Sequence, residues 1–306
     1  MPSKKIAVLG SRGLLGSTLA RAASAAGHAV TGFGMAEMDL RDHKSMASWT
    51  PDADWVVNCA AVTDVDACES GDGAEASLLV NAVAPEVVGA ACERAGAGFV
   101  HISTDYVFFG DGLGSGEGGQ YDETDEPSPR SRYGAHKLMG EIGARAHGAY
   151  VLRTAWLYGP GGKNFISKSY EAAARGRPLS VDAVSSSTPT LASNLARYIL
   201  AVVATDDRRS GEVYHCCDRG ESTRWDVFSR VRRAMLPATE GWQVSRGEAY
   251  TGPAARPVRT PLDSASFFLR FGRLAGQMEA SRAAEVFVEE CRAAGNHIVS
   301  GEVVAG

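Results

Sequence analysis

KKIAVLGSRGLLGSTLARAASAAGHAVTGFG, residues 4–34, spells out one complete supersecondary unit. Ile6 to Leu9 is a short, wholly apolar run of the kind a strand buried on both faces shows. Leu14 to Ala26 has helical periodicity and closes at Gly27, and Ala29 to Phe33 is a second strand. Between the first strand and the helix stand Gly10, Gly13 and Gly16 in a GxxGxxG. Glycine there permits a tight turn, close approach of backbone to a pyrophosphate and tight helix-to-strand packing, while the helix N-terminus directs its N–H groups at the anion. The competing reading is a plain glycine-rich turn.

The same alternation continues outward. Trp55 to Asn58 and Phe99 to Ile102 are two more apolar strands, with a long helix from about Asn81 to Ala95 between them, and Tyr150 to Arg153 is a fifth. Strands alternating with amphipathic helices predict an α/β fold: a Rossmann-type doubly wound parallel sheet with a smaller mixed α/β substrate domain. The expected division is residues 1–160 for NAD(P) binding, with later crossings near 181–215, and 161–306 mainly for substrate. Helices are expected near Phe165 to Ala174, Leu191 to Val203, Arg224 to Met235 and Glu279 to Ala293. The polar, glycine-rich run from Gly110 to Arg130 has the length of a mobile lid.

Composition narrows the classes of function. The chain has 306 residues, 44% hydrophobic and 22% charged, enough for one large or two modest cores, and a net charge of -5. That charge gives no global field for nucleic acid or anionic lipid. No run reaches the roughly 18 to 20 apolar residues of a spanning helix, and Met1 to Lys5 lead into the first strand without a signal-peptide core, so the expectation is a cytoplasmic protein with no membrane partner. Six cysteines, at 59, 68, 92, 216, 217 and 291, include no CxxC pair, and no ligand cluster predicts a metal.

Three local patterns carry chemistry. The second strand ends Gly32, Phe33, Gly34 without the carboxylate that would bind an adenosine ribose, while Arg12 in the glycine turn can pair with a 2'-phosphate; this favours NADPH, with NADH as the alternative. Tyr133 and Lys137 form a YxxxK on a helix starting at Ser131, and a spacing of four puts both on one face. An ammonium beside a phenol lowers the phenol's pKa toward the range of a working acid/base group. Thr104 and Asp105, in HISTDYVF at the end of a strand, stand where ligands bind in open parallel sheets, the threonine at a substrate carbonyl and the aspartate at substrate hydroxyls. His101 reads as a satisfied strand residue rather than a catalyst.

These motifs in this order resemble the extended short-chain dehydrogenase/reductase family, most closely its dTDP-4-dehydrorhamnose reductase branch. The likeness extends over about residues 5 to 260: the glycine turn, MDLRD around Asp39, WVVNCAAVTDVDACE from Trp55, VNAVAPEVV from Val80, STDYVF from Ser103, YDETDEPSPRSRYGAHKLMGE from Tyr121 and LRTAWLYG from Leu152. The resemblance implies Thr104, Tyr133 and Lys137 as the catalytic trio, with Asp105 and Trp156 at the sugar nucleotide. It implies Gly13, Leu14, Leu15, Asp39, Leu40, Ala61, Val62, Thr63 and Asn81 along the cofactor, beside Gly10, Arg12, Gly16, Tyr133 and Lys137.

Phe109 departs from the family's usual aspartate, His136 stands where a small hydroxyl residue is common, DAVSSSTPTLASNLA is a loose version of the downstream run, and the tail from Leu262 fits poorly. The implied activity is NADPH-dependent reduction of the C4 carbonyl of a nucleotide-linked 4-keto-6-deoxysugar, the nucleotide being dTDP. Alternatives are a reductase of another carbonyl in secondary metabolism, an epimerase or dehydratase that recycles its cofactor, and a non-catalytic NADP-binding regulatory subunit. A homodimer stays open.

Overall fold

Lys5–Leu9 (β1) pairs in parallel with Ala29–Phe33 (β2) on one side and Trp55–Asn58 (β3) on the other, and Gly98–Thr104 (β4) and Tyr150–Tyr158 (β5) extend the sheet beyond β3. Downstream come Leu179–Asp182 (β6), Ser186–Ser187 (β7), Pro189–Leu191 (β8) and Val213–His215 (β9), of which β8 and β9 both pair in parallel with β5. The chain leaves β1 toward β2 and then returns to β3 on the other side. That reversal opens a crevice at the carboxyl ends of β1 and β3, the place where such sheets bind ligands. This is the Rossmann-type parallel arrangement. The computed structural model describes residues 2–235 and 239–294; 236–238 and 295–306, which fall in the expected substrate domain, lie outside the described residues.

Period-two alternation divides the strands between two cores. Ile6, Val8, Trp55, Val57, Val100 and Leu152 face Leu19 of helix Leu14–Ala25 (α1), whereas Ala7, Leu9, Val56, Phe99 and Val151 face the opposite layer. That opposite layer holds Met46 of His43–Ser48 (α2) and the long stretch made of Gly71–Ser77 (α3), a π-helical turn and Ala84–Ala95 (α4), with Arg132–Ala146 (α5) packed beside it. The helix thus begins at Gly71, well before the expected Asn81. Taken as one stretch, Gly71–Ala95 is long and apolar enough to cross a membrane, contrary to the sequence expectation, and half of its most apolar window is buried inside the fold.

Phe165–Ala174 (α6), Ala192–Val203 (α7), Arg224–Ala234 (α8), Ala265–Phe271 (α9) and Ala280–Ala293 (α10) complete the helices. A second core gathers Tyr158, Ile166, Tyr170, Val227, Phe228, Val231 and Phe287 from β5, α6, α8 and α10. Short pieces Ser222–Thr223 (β10), Val244–Gly247 (β11) and Arg259–Thr260 (β12) pair with β7 or β6 beside it. The first core also receives α9: Phe267 and Phe271 pack with Leu195, Tyr198 and Ile199 of α7. So the segment after Leu262 returns to the sheet, which its sequence did not indicate.

The run from Gly110 to Arg130 is tied down. Arg259 donates to the Gly112 and Gly118 carbonyls, Tyr121 exchanges backbone bonds with Pro261 and Asp263, and the Tyr121 ring stacks on Phe108 at 4.3 Å. The stitches come from residues far along the chain, beyond the reach of a local reading that suggested a mobile lid.

Candidate active site

Gly10 sits at φ +73°, and a Cβ there would lie 2.7 Å from the Ala60 backbone; one on Gly16 would lie 2.2 Å from the Gly10 carbonyl oxygen. The glycines therefore let the turn, the start of α1 and the loop after β3 meet in one place. Gly13 caps α1 without a side-chain bond and the first turn carries no acid, so the N–H groups at this helix end remain available to an anion. A cavity of about 350 Å³ opens beside them, lined by Gly10, Arg12, Gly13, Asp39, Leu40, Ala61 and Val62 among the expected residues. Its lining also includes Phe33, Met35, Met38, Arg41, Cys59 and Ala60, which sequence reading did not select.

Two charges in that lining are already matched. Arg12 pairs with Glu37, which also accepts from the Gly34 N–H at 2.9 Å. The absence of a carboxylate at the end of β2 is therefore only local: the chain turns after Gly34 and brings Glu37 back to the arginine. Asp39 holds a chelated Arg41, with bonds of 2.6 and 2.9 Å that bring its carboxyl down to about 2.

At the other end, Ser131 caps α5 and Tyr133 and Lys137 lie buried on one of its faces. The Tyr133 hydroxyl is in hydrogen-bond reach of Thr104, and its ring meets Tyr106 edge-on at 5.7 Å. Burial raises the Tyr133 pKa, opposed by the Thr104 hydrogen bond. The Lys137 nitrogen turns away to donate to the Ile102 carbonyl at 2.6 Å and lies 3.4 Å from His101 Nε2. The expected lowering of the phenol by the lysine is thus not what this geometry provides: a shared helix stripe does not make the two head groups touch, and desolvation dominates. Thr104 donates to Asp105 at 3.1 Å and accepts from the Tyr106 N–H at 3.2 Å.

The family described as RmlD substrate binding domain matches residues 4–291. The chain belongs to this family. A dTDP-4-dehydrorhamnose reductase of Burkholderia thailandensis is 37% identical over 286 residues, 88% of this chain and 93% of that protein. One from Mycolicibacterium smegmatis is 33% identical over 265 residues, 86% of this chain and 79% of that protein. The crystal structure of dTDP-4-dehydrorhamnose reductase from Bacillus anthracis in complex with NADP aligns with a TM-score of 0.80 at 25% identity, covering 94% of this chain and 100% of that one.

Within the RmlD family frame, several expected residues take different places here. Asn81 is buried and exchanges bonds of 2.9 Å with both the N–H and the carbonyl of Val62, so it shapes the loop rather than lining the cavity. Leu14, Leu15, Gly16 and Thr63 are also outside the cavity lining; Leu15 is buried on the core-facing side of α1 and Thr63 is exposed. Asp105, expected at substrate hydroxyls, has both oxygens engaged: Thr260 donates at 2.6 Å, Ser187 at 3.0 Å and Thr104 at 3.1 Å. It clamps the end of β4 to β7 and β12. Burial pushes its carboxyl up to about 6 against the pull of those bonds.

Trp156 occupies a left-handed backbone position, φ +41°, at the irregularity where β5 shifts its pairing with β8. A non-glycine residue is strained there, and strain of this kind collects at functional sites. Arg224 lies 4.0 Å above the Trp156 ring and also pairs with Asp182 at 3.1 Å. The same arginine lies near the Tyr106 hydroxyl, and the Tyr106 ring in turn meets that of Tyr133. Nothing in the sequence singled out Arg224: it lies at the start of α8, outside the motifs that carry the resemblance.

Proposed function

We propose that this chain is an NADPH-dependent ketoreductase that reduces the C4 carbonyl of a nucleotide-linked 4-keto-6-deoxysugar, with dTDP as the nucleotide. The observation that carries this reading is the burial of Tyr133, Lys137 and Thr104 together beside the carboxyl end of β4. The relatives reported above are reductases by name, and one was crystallised with NADP.

The residues present suit the cofactor. The uncapped start of α1 offers N–H donors to a diphosphate, the bare backbone of Gly10 allows close approach, and the 350 Å³ cavity takes the adenosine half. Arg12 sits where it can turn from Glu37 to a 2'-phosphate. When bound, the reduced nicotinamide supplies hydride to the carbonyl carbon. Tyr133 gives its proton to the carbonyl oxygen as negative charge develops there, a role suited to a phenol that burial keeps protonated. Thr104, held by Asp105 and the Tyr106 N–H with its hydroxyl near that of Tyr133, orients the substrate carbonyl there. Lys137 offers an N–H to the nicotinamide ribose, and Trp156 with Arg224 covers one face of the sugar nucleotide.

The test follows NADPH absorbance with a panel of nucleotide-linked 4-keto-6-deoxysugars. Steady oxidation is expected, and Tyr133→Phe should lower kcat by about 10²–10⁴-fold while leaving NADPH affinity unchanged. No net oxidation over the panel, or full activity in the variant, refutes the assignment.

A further inference from the structure

The lining of the cavity beside the start of α1 contains two cations, Arg12 and Arg41, and each faces a carboxylate. Arg41 is held fast: its Nε and Nη2 donate to Asp39 at 2.9 and 2.6 Å, and its backbone N–H donates to the same carboxylate at 3.0 Å. Arg12 is held through Nη2 alone among the described residues, by Glu37 Oε1. The two side chains of that pair are 72% and 42% exposed, so the pair is weak and the guanidinium can swing away.

The carboxylate cannot follow. Glu37 is tied to Gly34 twice: its N–H donates to the Gly34 carbonyl at 3.2 Å, and its Oε2 accepts from the Gly34 N–H at 2.9 Å. That N–H is the main reason its carboxyl lies below the usual carboxylate range, with burial opposing and Arg12 assisting, so the group is ionised at neutral pH. A Cβ on Gly34 would lie 2.9 Å from both Arg12 Nε and Glu37 Oε2; the bare backbone of this glycine is what lets the two side chains meet across the rim of the cavity.

We propose that Glu37 is a positioning residue that sets the choice between NADPH and NADH: by holding Arg12 across Gly34, it lowers the advantage a 2'-phosphate would otherwise gain from the guanidinium. A 2'-phosphate must take Arg12 from this carboxylate and then sit near a negative charge that Gly34 keeps in place. A 2'-hydroxyl is uncharged, so NADH meets neither cost. Arg41 offers no substitute, because Asp39 already neutralises it. The missing carboxylate at the end of β2, which favours NADPH in the sequence, is thus partly restored from the turn beyond Gly34. The inference rests on the proposed function only for the binding of a nicotinamide dinucleotide at this cavity.

The test is calorimetric titration of NADPH and of NADH into the full chain freed of nucleotide, with no sugar present. In the unmodified chain NADPH should be favoured over NADH by no more than about tenfold. Glu37→Gln keeps an oxygen for the Gly34 N–H but removes the charge and the bond to Arg12, and it should raise the ratio of NADPH to NADH affinity by about fivefold, the upper worth of an exposed ion pair, with NADH affinity unchanged. Glu37→Gln combined with Arg12→Gln should lose most of that gain, since the released guanidinium is its source. A merely structural role for Glu37 would weaken both nucleotides together and leave the ratio where it was. An unchanged or lower ratio in Glu37→Gln, or an equal gain without Arg12, overturns the proposal, and a larger preference for NADPH in the unmodified chain does so even if the variants fail to fold. Binding of neither nucleotide overturns both readings, whereas discrimination as expected without oxidation of NADPH by the sugar panel refutes the reductase reading alone.

Discussion

Replacing Asp105 by asparagine should change how stability depends on pH more than it changes stability at any one pH. The carboxyl is 1% exposed, and its proton affinity rises from 3.8 to about 6 on folding because burial outweighs the hydrogen bonds from Thr260, Ser187 and Thr104. The folded chain therefore holds this proton more tightly than the unfolded one. The stabilisation this provides is complete below about pH 3.8 and is lost as pH climbs through about 6. The interval corresponds to roughly 3 kcal/mol at full ionisation. A carboxamide in its place cannot titrate, so the difference in unfolding free energy between Asp105→Asn and the parent should shift by about 2 kcal/mol in the variant's favour between pH 4 and 7. Urea unfolding at several pH values measures it, and the subtraction removes Asp218, which burial also raises to about 6. A difference that stays constant within about 0.5 kcal/mol over that range would show that folding leaves the proton affinity of Asp105 unaltered.

Gly16→Ala forces a methyl group to within 2.2 Å of the Gly10 carbonyl oxygen, so the turn must open. The expected cost is about 1–3 kcal/mol with at least a tenfold weaker NADPH affinity, read by denaturation and cofactor fluorescence; unchanged binding would contradict the packing role of this glycine. Glu141→Leu leaves Arg153, 4% exposed, without its counter-charge, and should destabilise by about 3–5 kcal/mol. Glu141→Leu combined with Arg153→Met should regain most of that loss in urea unfolding, and a double variant as unstable as the single one would remove the uncompensated charge as the cause.

Much of the first half of the chain is legible locally. Apolar runs such as Ile6–Leu9 and Trp55–Asn58 have few alternatives to a doubly buried strand, and Gly10 and Gly16 are required where two backbones nearly touch. The Tyr133–Lys137 spacing likewise follows from the pitch of a helix. Side-chain partners are another matter, because each depends on a residue brought from elsewhere in the chain. Glu37 reaches Arg12 only after the chain folds back at Gly34, and the Lys137 nitrogen goes to β4 rather than to the tyrosine. Asp105 is occupied by Ser187 and Thr260 from far downstream.

What the sequence determined by itself was the repeating pattern of buried strands and helices, the glycine turn and the motifs of the reductase family, since these depend on backbone periodicity and steric limits acting over a few residues. Only the tertiary structure decided which charges are already paired, which polar groups line the cavity and that α9 returns to the first core. Hydrogen bonding and desolvation are set by whatever lies within a few ångströms, and in this chain those neighbours are separated by as many as 202 residues.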